Sequence, residues 1–184
     1  MNNNKINTIE LDKTTLELKN IKSYLFQILF IGLAVLLPTI AHLTGAPVKY
    51  LLPMHWTVIL AGLVYGWRGG AISGFLSPIV SFMITGMPPA YSLFPIVIEL
   101  TAYGFIAGWL RENFKLNAFL SVLIALLIGR LLLIAAVFSI GSITGGFSSY
   151  FQVSILQGFI AGAAQIFILP FAAKWWVEKE KNAD

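Results

Sequence analysis

Glu99 and Arg130 each interrupt a long apolar stretch, while nearly every other charge lies outside such stretches. A charge at mid-bilayer costs about 2.5–3.5 kcal/mol on insertion scales, so it normally has a partner or a task. Glu99 offers an acceptor for an amine or ring N–H. Arg130 offers a planar fork that grips a carboxylate or phosphate through two parallel bonds. Tyr103, four residues after Glu99, shares its helical face and adds a phenol. Gln157 adds an amide at comparable or shallower depth. A few convergent polar groups in an apolar cavity describe a small-molecule site. The same two charges also suit a neutral lock that holds two helices in register. The residues by themselves leave both readings open.

His55 and Trp56 follow Pro53-Met54, and His42 lies a short way upstream. Two histidines near one surface raise metal binding, but no further His or carboxylate completes a set beside them, so no metal is expected. His55 reads instead as a polar lid or ligand contact, or as an interfacial His with no special role. Trp56, Tyr50 and Tyr91 read as an interfacial belt or as rings that stack on a ligand. No P-loop, HExxH or GxSxG motif occurs, so neither ATP binding by a P-loop nor hydrolase chemistry is expected. No cofactor is implied. One deep carboxylate is too few for a proton relay, and no internal repeat of the transporter kind is visible.

The elements that position these groups are membrane spans. The chain is 58% hydrophobic and 11% charged over 184 residues, which marks a compact polytopic membrane protein. It has no Cys, so disulfides and Cys-ligated metals are excluded. The net charge of +4 points to orientation beside spans rather than to nucleic acid. Six spans are expected, at 24–43, 54–67, 70–86, 92–110, 117–140 and 150–177, each near the ~20 residues that cross the hydrocarbon. Only Trp67-Arg68-Gly69-Gly70 separates the second from the third, and one long helical hairpin also fits there. Residues 1–23 form a polar segment, 24–177 the membrane domain and 178–184 a tail. Ile9, Leu11, Leu16 and Leu18 in the polar segment could line a short amphipathic helix, or the segment is a solvated tail. The first apolar run is long enough to stay in the membrane rather than act as a cleaved leader.

Six spans put both termini on one side. Lys5, Lys13, Lys19, Lys22, Arg68, Arg111, Lys115, Lys174, Lys179 and Lys181 share that side, ten of the twelve basic residues. The positive-inside bias then makes the termini cytoplasmic. Glu99 and Arg130 fall in the outer halves of the fourth and fifth spans, about 12–15 Å deep. The outer connections are rich in Gly, Pro or Ser and poor in charge, and serve either as plain turns or as a cover for an outward-facing pocket. Gly62, Gly66, Gly70 and Gly74 recur every four residues, as do Gly104 with Gly108 and Gly158 with Gly162. Such spacing lets helix backbones approach closely. Pro38, Pro78 and Pro95 lie within spans, where each removes a backbone donor.

Leu52-Pro53-Met54-His55-Trp56 running on to Gly62, then Gly66-Trp67-Arg68-Gly69-Gly70, Leu76-Ser77-Pro78, Thr85-Gly86-Met87-Pro88-Pro89 and Glu99-Leu100-Thr101-Ala102-Tyr103-Gly104, resemble the substrate-binding (S) components of energy-coupling factor transporters. The resemblance covers about residues 24–177 and is strongest in the middle motifs. It implies an all-α integral membrane protein of six transmembrane helices with cytoplasmic termini, in a bacterial plasma membrane. It implies capture of a vitamin or related micronutrient from outside. It implies two kinds of partner, a membrane coupling (T) protein and two cytoplasmic ATPases, so the chain itself is not an enzyme. For substrate contacts it points to His55, Trp56, Met87, Glu99, Tyr103, Arg130 and Gln157, with Glu99 at a position where relatives use a carboxylate. The family often docks its coupling protein through an AxxxA pattern in the first helix. Here that helix has Gly32, Ala34 and Ala41 with no small pair four apart, so Gly32, Ala34, Gly62 and Gly66 stand as the docking candidates.

Overall fold

The computed structural model describes residues 15–140 and 147–182, with side chains described except at 49, 140 and 147–157. Every regular element among them is helical: α1 (Ile21–Leu43), α2 (Val48–Leu51), α3 (Pro53–Thr85), α4 (Ala90–Asn113), α5 (Ala118–Ile140) and α6 (Phe147–Lys181). Five of these are long and apolar enough to cross a bilayer, with mean hydropathies from 1.2 to 2.7. Six separate helices were expected. The second and third are the two arms of α3, helices that follow one another directly across a break at Tyr65–Gly66 rather than at Trp67–Gly70.

The break has a local cause. Gly66 has φ 69° and ψ −168°, a conformation reserved for glycine. Beyond it the chain turns back. A methyl group on Gly62 and one on Gly70 would both meet the carbonyl oxygen of Gly104. In a straight helix those positions would be about 12 Å apart. The arm before the break runs parallel to α4, with His55 near Glu99 and Gly62 against Gly104. The arm after it runs antiparallel, with Gly70 against Gly104 and Gly74 against Leu100. The glycine series therefore closes three helical segments on one another, as small residues do where lipid removes the hydrophobic drive.

The turn also frees backbone groups, and other segments satisfy them. Leu16 N–H donates to Val64 C=O at 2.7 Å. Trp67 N–H donates to Glu112 Oε2 at 3.2 Å. Leu16 and Leu18 pack against the central apolar cluster, so the end of the polar N-terminal segment is seated on the bundle.

α1 is apolar all round and presents only Gln27, Phe30, Ala34, Val35 and Ala41 to the interior. Gln27 Nε2 donates to Gly69 C=O at 2.8 Å and to Ser73, pinning α1 across the start of the second arm of α3. Beside it Phe26 and Phe30 meet Trp176 of α6. α5 begins at a side-chain cap, with Leu120 N–H donating to Asn117 Oδ1 at 2.8 Å. It then runs antiparallel to α6, with Arg130 against Gly158, Leu126 near Gly162 and Phe119 edge-on to Phe171.

Candidate functional site

Glu99 lies on α4 one turn below Pro95 and is 2% exposed. A carboxylate that deep needs partners on every side. Tyr103 Oη donates to Glu99 Oε1 at 2.7 Å, the i,i+4 contact expected from the spacing. Arg130 Nη1 of α5 stands 3.1 Å from the same oxygen. Glu99 Oε2 faces His55 Nε2 at 3.5 Å, within ion-pair range but without hydrogen-bond geometry. The His55 and Tyr103 rings lie 5.3 Å apart. Three helices thus converge on one carboxylate.

Two glycines make room for the cluster. A methyl on Gly129 would strike the Tyr103 ring, and one on Gly158 would strike the Arg130 guanidinium. The Tyr103 ring therefore lies on the backbone of α5, and the Arg130 fork lies on that of α6. Gly158 was legible only as a packing residue, and Gly129 carried no signal of its own.

The cluster separates two cavities. A smaller one of about 230 Å³ is bounded by Leu52, Tyr91, Ser92, Pro95 and Leu133 together with His55, Glu99 and Arg130. A larger one of about 580 Å³ runs between α5 and α6 from His55, Tyr103 and Arg130 to Gln165. Leu52, His55 and Arg130 line both. Leu52 has φ 45° and ψ 54°, left-handed backbone that a leucine rarely adopts. It hands the chain to Pro53 at the first turn of α3, which carries His55 to the cluster.

Of the residues expected at a binding site, Glu99, Arg130, Tyr103 and His55 come together. Trp56 does not line either cavity. Its Nε1–H donates to Leu51 C=O at 2.8 Å and braces the turn that leads into α3. Met87 is exposed and also lies outside both linings. The Gln157 side chain falls outside the described residues. Tyr91 and Ser92 belong to the smaller cavity and Gln165 to the larger. Gln165 was the deepest of three amides in the last span, and its polarity amid Gly, Ala, Ile and Phe was the available signal.

The docking candidates divide differently. Ala34 is fully buried, and Gly62 and Gly66 are buried against α4. All three face the bundle interior. Gly32 alone has open space over its α-carbon.

No curated protein matches the chain, and no solved structure does. A family model, described as the ECF transporter substrate-specific component, matches residues 27–175. Together with the five apolar helices, that match makes the chain a multi-pass integral membrane protein that belongs to the family of ECF transporter substrate-specific components.

Proposed function

We propose that this chain captures a vitamin or related small heterocyclic micronutrient from outside and delivers it through an ATP-driven importer. Its partners would be a membrane coupling protein and two cytoplasmic ATPases. The observation that carries the reading is the buried layer of His55, Glu99, Tyr103 and Arg130, set between two cavities of about 230 and 580 Å³. Such a layer presents donors and acceptors in an apolar surround, which is how a membrane subunit recognises a polar solute.

We also infer six crossings, with the two arms of α3 traversing the bilayer separately. The fold-back at Gly66 supports this, since both arms lie along the same stretch of α4. The second arm spans about 28 Å and the first about 20 Å at 1.5 Å per residue, with α2 preceding the first. The basic residues at the Gly66 turn and at the end of α4 then lie on the cytoplasmic side with both termini.

The Glu99–Arg130 pair makes the layer close to neutral, so the site favours uncharged ring systems over strong acids or bases. Mass spectrometry of small molecules released from the purified protein identifies the cargo. Uptake of that compound, labelled, into proteoliposomes is expected only when the coupling protein, the ATPases and ATP are present. Uptake by the chain alone would make it a stand-alone facilitator and overturn the reading.

A further inference from the structure

Gln165 is fully buried in α6, and neither its amide nitrogen nor its carbonyl oxygen has a hydrogen-bond partner. Leaving a buried amide unpaired costs the desolvation of both groups. The residue lines the 580 Å³ cavity, far from the end closed by His55 and Arg130. His55 is buried too, and neither ring nitrogen is hydrogen-bonded. The cavity thus has an unpaired amide at one end, the layer of His55 and Arg130 at the other, and apolar walls, Leu126, Leu127 and Ile166 among them, in between.

The distance between those ends follows from the helix. The Arg130 guanidinium lies against Gly158, and Gln165 comes seven residues later on α6. Seven residues rise about 10 Å. We propose that this cavity takes an elongated, uncharged ligand. Its lactam- or imide-type edge would sit on Gln165, and its hydroxyl or carbonyl on His55 and Arg130 about 10 Å away.

The chemistry at each end selects the ligand group. A primary amide carries an acceptor and a donor side by side, and its complement is the N–H/C=O edge of a lactam or imide. At the other end Arg130 already neutralises Glu99. A hydroxyl there satisfies His55 and a remaining guanidinium donor without burying a second charge. A single six-membered ring is too short to touch both ends. The proposal rests on the reading of the His55–Arg130 layer as a ligand site, and it adds the depth, length and charge of what enters.

A chemical ruler tests it. Uracils bearing an ω-hydroxyalkyl chain at C5 are titrated, in order of chain length, into the purified chain in lipid nanodiscs, with binding measured by calorimetry. Affinity is expected to peak at the member whose hydroxyl lies about 10 Å from the imide edge. Gln165→Leu is expected to weaken that member at least tenfold and to leave the shortest unchanged. Gly162→Leu, which intrudes on the cavity from a different position, is expected to abolish the long member's binding. A carboxylate-ended counterpart is expected to bind more weakly than the alcohol. Affinity that does not vary with chain length, or an unchanged long-member affinity in Gln165→Leu, overturns the proposal. A long member lost in Arg130→Met but indifferent to Gln165→Leu would overturn the depth while leaving the layer as the site. No binding by any member overturns the proposal as well, and proteoliposome uptake then judges the transport reading separately.

Discussion

Arg130 Nη1 sits 3.1 Å from Glu99 Oε1, and the carboxylate it meets is 2% exposed. The two charges therefore tie α5 to α4, and Arg130 also reaches the walls of both cavities. Breaking a buried pair from one side strands the other charge, at a cost of about 3–5 kcal/mol. Arg130→Met is expected to lower the unfolding midpoint strongly in detergent, because Glu99 remains buried. Adding Glu99→Gln to Arg130→Met is expected to restore most of the loss, since no bare charge is left. Losses that simply add in a denaturation series would show that the two side chains are not coupled.

The absence of cysteine makes topology directly measurable, because each introduced thiol is unique. Six crossings place Tyr50 and Met87 outside and Arg68 and Phe114 inside. Membrane-impermeant maleimide on intact cells is expected to label Tyr50→Cys and Met87→Cys. Arg68→Cys and Phe114→Cys are expected to react only after the membrane is opened. If α3 crossed once, Tyr50 and Met87 would lie on opposite faces, and only one of them would react from outside.

The cluster was legible because charge in an apolar span is costly, and because i,i+4 spacing puts Tyr103 on the face of Glu99. The glycine series was legible as close packing for the same steric reason. What it packs against was not, since that depends on a reversal at a single residue. Gly66 lies one residue before Trp67, and only its φ of 69° distinguishes a turn there from one at Gly69–Gly70. Ala34, Gly62 and Gly66 looked available for docking because small residues mark interfaces without saying whose. Gln165 was one glutamine of three in the last span, and which of them meets a cavity depends on how α5 and α6 pack, which the sequence does not carry.

The reversal at Gly66 gives a further prediction. Its backbone lies in a region that costs a non-glycine residue about 1–3 kcal/mol. A side chain there would also strike Glu112 Oε2, the acceptor of Trp67 N–H. Gly66→Ala is expected to lower the thermal midpoint and the folded yield from membranes. Glu112→Ala added to Gly66→Ala removes the collision and is expected to recover only part of the loss, since the backbone strain persists. Complete recovery in the double variant would assign the whole penalty to the collision.

Gly104 and Gly158 are both too crowded for a methyl group, but the crowding differs in kind. At Gly104 the obstacle is the backbone of Gly70, and the same small gap admits Gly62 from the other arm. Backbone cannot yield without moving a helix, so Gly104→Ala must separate α4 from both arms of α3 and expose the packed cluster around Leu100 and Tyr103. At Gly158 the obstacle is the Arg130 guanidinium, the end of a flexible side chain that can give without moving a helix. Gly104→Ala is therefore expected to reduce folded yield severely. Gly158→Ala is expected to keep more folded yield than Gly104→Ala, with a thermal midpoint lowered only as far as the shifted guanidinium loosens its contact with Glu99. The shifted guanidinium would leave its place between the two cavities, so Gly158→Ala is expected to weaken retention of the small molecule that the proposed function expects to co-purify with the wild type. Mass spectrometry of released ligand, read beside the unfolding curves, separates the two outcomes. A Gly158→Ala protein that keeps its ligand in full would show that the position of Arg130 does not govern binding.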